Sequence, residues 1–373
     1  MNMMHIAIFG CGQLAQMTAQ AGIALGLQFS FIAEEGEDSR CVNDLGNVVS
    51  YTKGMSAEAL FFALGKPDVI TVEKEMVDTE LLKALAAFAK VYPSDQAVHL
   101  SQNRIREKNF LRHNGIPTAE FEVIESQAQL DSLPERLGYP IYIKAAESGY
   151  DGYHQWRIET QADLQQVSLN DNVVLIAEKH VDYSREVSII AARNPQGEIA
   201  FYPLMENRHE GGVLISTIAP APNTDIILEE GALAYMETVL SSMDYVGVLT
   251  MECFVTEQGL VANELAPRVH NSGHWTIEGS DASQFENHCR AITDMLLGAT
   301  DAKAVSSMIN VLGKHADADD FMAENTFFHD YGKQERPRRK LGHISFLTAD
   351  VTTAKSKLNS AAAILYGKQY LPL

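Results

Sequence analysis

Hydrophobic and polar positions along this chain recur with two periods, and the changes of period mark its elements. A short apolar run from His5 to Phe9 ends in Gly10-Cys11-Gly12-Gln13-Leu14-Ala15, and a helical pattern follows through Gly22. Strands are expected over Phe29 to Glu35 and Pro67 to Val72, then a helix over Thr79 to Lys90 and a short strand at Val91 to Pro93, closing a first domain near Leu100. From Ser101 a basic helix, SQNRIREKNFLRHNG, stops at Gly115, where Ile116-Pro117-Thr118 opens an extended segment. Further strands are expected over Tyr139 to Ala145, through Trp156, and over Val173 to Glu178. A helix over Glu229 to Met243 leads to two strands, Val248 to Thr256 and Leu260 to Leu265. Ser283-Gln284-Phe285-Glu286 reads as a capping box for a helix to Leu297, whose Phe285, Cys289, Ile292 and Leu296 share one face as core.

The two strands ending at Leu265 carry the strongest chemical signal. Glu257-Gln258-Gly259 fits a three-residue hairpin loop with a glycine at positive φ, and in that register Glu252 faces Glu264. Two carboxylates about 5 Å apart on one sheet face repel by about 3 kcal/mol at an effective dielectric near 20. A cation relieves that cost. Oxygen ligands on rigid strands, with Asn263 beside them, suit Mg²⁺ held together with substrate phosphates better than zinc. The competing reading is a register slipped by one residue, which puts the two glutamates on opposite faces in solvent. Ala266-Pro267-Arg268-Val269-His270-Asn271-Ser272-Gly273-His274 then leaves the sheet with a guanidinium, two imidazoles and an amide, the composition of an anion site. Zinc on His270 and His274 is the weaker reading, because the pair straddles a glycine loop and no cysteine pair accompanies it.

The first turn, G-x-G-x-x-A after a strand and before a helix, with an acidic strand end about 20 residues on, is also the pattern of a dinucleotide site. Composition narrows the classes of partner. Of 373 residues, 46% are hydrophobic and 21% charged, ordinary for a globular enzyme of two or three domains. Forty-nine acidic against 29 basic residues give a formal charge of −20. That charge disfavours nucleic acid and anionic membrane, so a polyanionic ligand has to be small and met by a local basic cluster, for which Arg336-Pro337-Arg338-Arg339-Lys340 is the one candidate. Cys11, Cys41, Cys253 and Cys289 make no metal or disulfide framework, and neither a signal peptide nor a membrane-length apolar run is read, so a cytoplasmic location is expected.

NELAPRVHNSGHW, with MECFVT upstream, resembles the metal-binding strand pair and loop of the ATP-grasp enzymes, and among them of the 5-(carboxyamino)imidazole ribonucleotide synthetases of purine biosynthesis. The resemblance spans nearly the whole chain. It implies an α/β ATP-grasp fold with a Rossmann-like ribonucleotide-binding domain (1–100), an ATP-grasp domain (101–298, flap about 118–180) and a small β-rich C-terminal domain (299–373). It implies Mg²⁺ on Glu252 and Glu264 and ATP contacts from Arg104, Lys144, Gly149, Gly152, Glu178, Lys179, Val181, Glu186, His209, Asn263 and Glu264. Arg268 and His270, with Asn207, Tyr150 and Asp151, are the implied catalytic groups, and Gln13, Leu14, Glu73, Glu75, Arg339 and Lys340 the ribonucleotide contacts. The activity implied is ATP-dependent carboxylation of 5-aminoimidazole ribonucleotide by bicarbonate, in a homodimer. Three departures from the family's pattern stand out: Tyr153 and His154 replace a basic residue and a glycine in the flap, Ala146 stands where an arginine is common, and Arg338 replaces a glycine in the basic cluster. Arg106 and Lys108 read as a solvated helix face. A related ligase acting on formate, a nucleotide-binding protein without catalysis and an NAD oxidoreductase remain the alternatives.

Overall fold

A computed structural model describes residues 3–147, 155–167, 169 and 173–367. The flap residues Gly149, Tyr150, Asp151, Gly152, Tyr153 and His154 lie outside the described residues. Three sheets organise the chain. The first is parallel: β1 (His5–Phe9), β2 (Gln28–Glu34), β3 (Asn47–Tyr51), β4 (Val69–Val72) and β5 (Lys90–Val91) pair in the order β3-β2-β1-β4-β5. Helices α1 (Gln13–Ala24), α2 (Ala57–Ala63) and α3 (Thr79–Leu85) connect its strands. Both faces of β1 and β4 are buried, which is why those strands read as unbroken apolar runs. Helix α3 ends at Leu85, five residues before the expected Lys90, because the chain must turn to bring Lys90 beside Val69.

Helix α4 (Asp95–Ser101) and helix α5 (Arg104–His113) replace the single basic helix expected from Ser101. Asn103 interrupts it by taking an extended backbone and accepting the Ile105 and Arg106 amides on its side-chain oxygen, an N-cap. The second sheet is antiparallel: β6 (Phe121–Ile124), β7 (Ile141–Ala145), β8 (Gln155–Ile158) and β9 (Leu175–Lys179), in the order β6-β9-β7-β8 and backed by α6 (Gln127–Leu137) and the short α7 (Gln161–Leu164).

The third and largest sheet contains β10 (Arg185–Arg193), β11 (Ile199–Phe201), β12 (Met205–Glu210), β13 (Val213–Ala219), β14 (Gly247–Thr256), β15 (Gly259–Ala266), β16 (Val305–Leu312), β17 (Thr326–Asp330) and β18 (Lys340–Thr348). Its main path runs β15-β14-β10-β12-β13-β16-β18-β17. The C-terminal strands therefore continue the sheet that holds the glutamate hairpin. Helix α8 (Ile226–Ser242) contributes Ala232, Met236, Val239 and Leu240 to a core against β10, β14 and β15, the short α9 (Thr276–Gly279) and α10 (Gln284–Ile292) follow the hairpin, and α11 (Val351–Tyr366) packs on β16 and β18. The expected stripe on α10 is only partly core. Asp294 adopts φ +64°, a left-handed residue that ends the helix, and Leu296 beyond it is 80% exposed. Among the described residues no helix is long and apolar enough to cross a membrane.

Arg338, which stands where a glycine was expected, has φ +62°. A side chain there crowds its own backbone, and the Arg338 guanidinium reaches across to donate to the Gly211 carbonyl at 2.5 Å. Arg338→Gly and Arg338→Val both lose that contact, so the difference between them isolates the backbone. The glycine variant is expected to be more stable in urea denaturation by about 1–2 kcal/mol.

Candidate active site

The glutamate pair is set by a turn and a bulge that compensate each other. Thr256 pairs with Gly259 across a two-residue turn, Glu257-Gln258, with Gly259 at φ +116°. That turn is one residue shorter than expected. The pairing sum then shifts by one between Cys253↔Ala262 and Glu252↔Glu264, leaving Asn263 as the extra residue of a β-bulge. Glu252 consequently faces Glu264, the register read from the sequence. Burial, and then the neighbouring charges of Glu264 and Glu186, raise the Glu252 carboxyl above its usual range. Burial also opposes the charge of Glu264, but Arg104, at 3.2 Å, and Lys144 hold its carboxyl below the usual range. Among the described residues no set of three or more His, Cys, Asp or Glu forms a metal cage. A facing pair of carboxylates fits an ion that completes its shell with phosphate and water oxygens.

Around this pair the sheet gathers cations and imidazoles. His209 on β12 hydrogen-bonds Glu186 through Nδ1 and places Nε2 3.8 Å from Glu252. Burial works against its charge, yet Glu186, Glu252 and Glu264 together lift His209 to about 9. His270 Nε2 lies 3.4 Å from Glu252, while its Nδ1 accepts from the Ser272 amide at 3.3 Å. Those contacts put the His270 proton on Nε2, toward the carboxylate. Burial and the nearby Arg268 hold His270 well below its usual value, so it is neutral. Asn207 was expected to face the active site. The pairings Glu186↔Asn207 and Ser188↔Glu252 put it on the sheet face of the glutamate pair, where it is buried, donating to Ser188 Oγ at 2.8 Å and accepting from Thr217 at 2.9 Å, and Ser188 passes the contact to Ser272 and so to His270. His274 turns away: it is fully buried against Phe285 and His343, with ring centroids 5.5 and 4.9 Å apart, so His270 and His274 do not converge on one ion.

Lys144 and Glu178 meet beneath the second sheet. Lys144 Nζ is 2.9 Å from one oxygen of Glu178 and Lys108 Nζ is 3.3 Å from the other. Lys108 is thus 2% exposed and not on a solvated face, whereas Arg106 stays partly exposed. Burial opposes the Glu178 charge, but Lys108 and Lys144 bring its carboxyl down to about 2. Lowering the folded value below an unfolded value of about 4.5 contributes stability that is present above that pH and lost as pH falls through about 2. Glu178→Gln leaves two buried ammonium groups facing a neutral amide. It is expected to cost about 3–5 kcal/mol at pH 7 in urea unfolding, with the gap to the parent closing toward pH 2.

At the segment between β9 and β10 the Lys179 and His180 amides donate to Glu120 and Pro140 carbonyls at 2.8 and 3.2 Å, and the Lys179 ammonium pairs with Glu120 at the surface. Val181 is half-buried, and Tyr183 stacks on Phe254 at 4.6 Å while donating to Glu186 at 2.8 Å. Ala146 is buried, with its amide bonded to the Val174 carbonyl and its carbonyl to the Arg104 amide.

The ends of the parallel strands face the C-terminal basic loop. Gln13 accepts from Lys333, and Asp38 lies 3.5 Å from Arg339. Lys340, half-buried at the start of β18, is close enough to act electrostatically on Glu252 and His270. Lys333, three residues before the basic cluster begins, was not singled out from the sequence; a lone lysine after Tyr331-Gly332 carries no pattern. Two of the expected ribonucleotide contacts have other work here. Leu14 is 7% exposed and packs in the core of α1. Glu73 accepts from the Gly12 amide with one oxygen and from the Ala15 amide, at 2.8 Å, with the other. Those amides are the donors a dinucleotide pyrophosphate needs at such a turn, so Glu73 closes the NAD site. Glu75 extends to Arg268, 2.5 Å away with both side chains nearly buried, and joins the parallel sheet to the anion loop.

Residues 3–102 match the ribonucleotide synthetase preATP-grasp domain, residues 109–285 the ATP-grasp domain, and residues 306–357 the phosphoribosylaminoimidazole carboxylase C-terminal domain. The N5-carboxyaminoimidazole ribonucleotide synthase of Pseudomonas aeruginosa is 37% identical over 97% of this chain and 99% of its own, and that of Aquifex aeolicus 36% identical over 98% of each. The crystal structure of the Thermus thermophilus synthetase superposes with a TM-score of 0.90 at 36% identity, covering 98% of this chain and 100% of its own. That of the Aspergillus clavatus enzyme in complex with ADP and 5-aminoimidazole ribonucleotide superposes at 0.88 with 28% identity, covering 98% and 100%. A paired-glutamate hairpin, an arginine–histidine loop and a basic strand end, in a chain matched along its length, make it a member of the N5-carboxyaminoimidazole ribonucleotide synthase family of ATP-grasp ligases.

Proposed function

We propose that this chain uses ATP to carboxylate the exocyclic amine of 5-aminoimidazole ribonucleotide with bicarbonate, by way of carboxyphosphate, releasing ADP and phosphate. The observation that carries this reading is the junction at Glu252. The carboxylate that opposes Glu264 also meets His270, two residues from the Arg268 that binds Glu75, so the groups for phosphoryl transfer and for anion capture adjoin each other. Bicarbonate is a poor electrophile, and phosphorylation supplies a leaving group.

In this reading Glu252 and Glu264 would hold Mg²⁺, whose chemistry there would be to neutralise phosphate charge. Arg104, Lys144, Glu178, Glu186, His209 and Asn263 surround the nucleotide, with the backbone at Lys179 and Val181 and the flap at Gly149, Tyr150, Asp151 and Gly152. Lys144 reaches phosphate by exchanging its bond to Glu178. Neutral His270, with its proton on Nε2, and Arg268 orient bicarbonate as fixed donors, while Asn207 holds His270 in that tautomer through Ser188 and Ser272. Gln13, Lys333, Arg339 and Lys340 form the shelf for the ribonucleotide phosphate, with Glu75 toward the ribose and Glu73 supporting the turn that carries Gln13. The three-domain division at residues 100 and 298, a homodimer and a cytoplasmic location belong to the same proposal, supported by the full-length match to relatives.

Bicarbonate labelled with ¹⁸O tests the chemistry. Attack by a bicarbonate oxygen on the γ-phosphorus, followed by loss of phosphate from carbon, leaves one labelled oxygen in each phosphate released. Unlabelled phosphate would remove carboxyphosphate from the reaction.

A further inference from the structure

Three residues on one face of α5 address three consecutive residues of β15. Arg104 pairs with the Glu264 carboxylate at 3.2 Å, Glu107 accepts the Leu265 amide, and Lys108 donates to the Asn263 carbonyl at 3.3 Å. Spacings of three and four put these side chains on the same side of the helix. β15 is the edge strand of the large sheet, and its bulge at Asn263 interrupts the ladder on the one side where it has a strand partner. Main-chain groups at such a place need partners from elsewhere. Helix α5 supplies them, and the chain just after it adds one more, the Pro117 carbonyl accepting the Ala262 amide at 2.7 Å. Glu107 is 3% exposed, so its bond to Leu265 is made away from solvent.

We propose that Glu107 is a positioning residue for the metal-binding carboxylate: by holding the Leu265 amide, it fixes the bulge and thereby the direction in which Glu264 presents its oxygens to a divalent cation. The inference rests on the metal assignment made above. Arg104 alone does not fix this direction, because a guanidinium can follow a carboxylate that moves, whereas the Leu265 amide is part of the strand. A group of this kind, one bond removed from the ligand, typically changes metal affinity by about 10–100-fold when lost.

The test is Mn²⁺ affinity, read from the free-ion electron paramagnetic resonance signal of the full-length protein with ADP present, alongside thermal unfolding without metal. Glutamine at position 107 keeps an oxygen acceptor for the amide, so Glu107→Gln is expected to bind Mn²⁺ within about twofold of the parent. Glu107→Leu is expected to weaken binding about tenfold or more. Glu107→Asp, which keeps the carboxylate but shortens its reach, is expected to fall between them, and it serves if the leucine variant does not fold. Ribonucleotide affinity should be unchanged in all three. Loss of thermal stability with unaltered Mn²⁺ affinity in the Leu and Asp variants would reduce Glu107 to a structural role and overturn the inference. Equal weakening in the Gln and Leu variants would do the same, by making charge and not the amide contact the cause. Absence of Mn²⁺ binding in the parent protein with ADP would instead remove the metal assignment itself.

Discussion

Glutamine in place of Glu264 is expected to lower ATP turnover by about a thousandfold while leaving the fold intact, the scale seen when a group that stabilises developing charge is removed. The carboxylate facing Glu252 is the part of the site that no neighbour can replace: Glu186 is taken by Tyr183 and His209, and Glu178 by two lysines. Stability should move little. Removing one of two charges about 5 Å apart relieves at most about 3 kcal/mol of repulsion at an effective dielectric near 20, and less where Glu252 is itself protonated, against which stand the weakened interactions with Arg104 and Lys144. Steady-state turnover and thermal unfolding of the metal-free protein measure the two effects separately. Turnover within a few-fold of the parent would show that Glu264 does not bind the ion.

Arg268→Met is expected to fail in two distinguishable ways. Glu75 would be left as a nearly buried carboxylate without the guanidinium 2.5 Å away, which costs about 3–5 kcal/mol when one partner of a buried pair is removed. The site would also lose its fixed cation beside His270. Pairing Arg268→Met with Glu75→Gln removes the buried carboxylate charge, so urea unfolding of the double variant should recover most of the lost stability. Turnover should not recover, because the guanidinium proposed to orient bicarbonate is still missing. A double variant that regains activity as well as stability would confine Arg268 to joining the two sheets.

The facing of Glu252 and Glu264 was legible because strand alternation and a glycine turn are local signals. The agreement is nonetheless the sum of two departures: the turn is shorter by one residue, and the bulge at Asn263 restores the offset. A bulge has no composition of its own; this one is held by Glu107 and Lys108, which lie more than 150 positions earlier in the chain. Lys108 itself was misread for the same reason. A polar helix looks solvated until Glu178 on β9 is known to lie against it. Lys333 and Gln13 are 320 positions apart and meet only because the C-terminal strands extend the central sheet toward the ends of the parallel one. Glu73 and His274 show the opposite limit. Their residue types matched ligand roles, but one satisfies the amides of a helix start and the other packs among rings. The G-x-G-x-x-A turn gave the right local fold and a misleading ligand, since backbone geometry does not say which anion fills it.

Coupled ADP release tests the central claim most directly. With ATP and Mg²⁺ present, ADP should form rapidly only when both bicarbonate and 5-aminoimidazole ribonucleotide are supplied, one equivalent for each ribonucleotide amine carboxylated. ADP release at the same rate without the ribonucleotide, or release with it but no carboxylated product, would contradict the account.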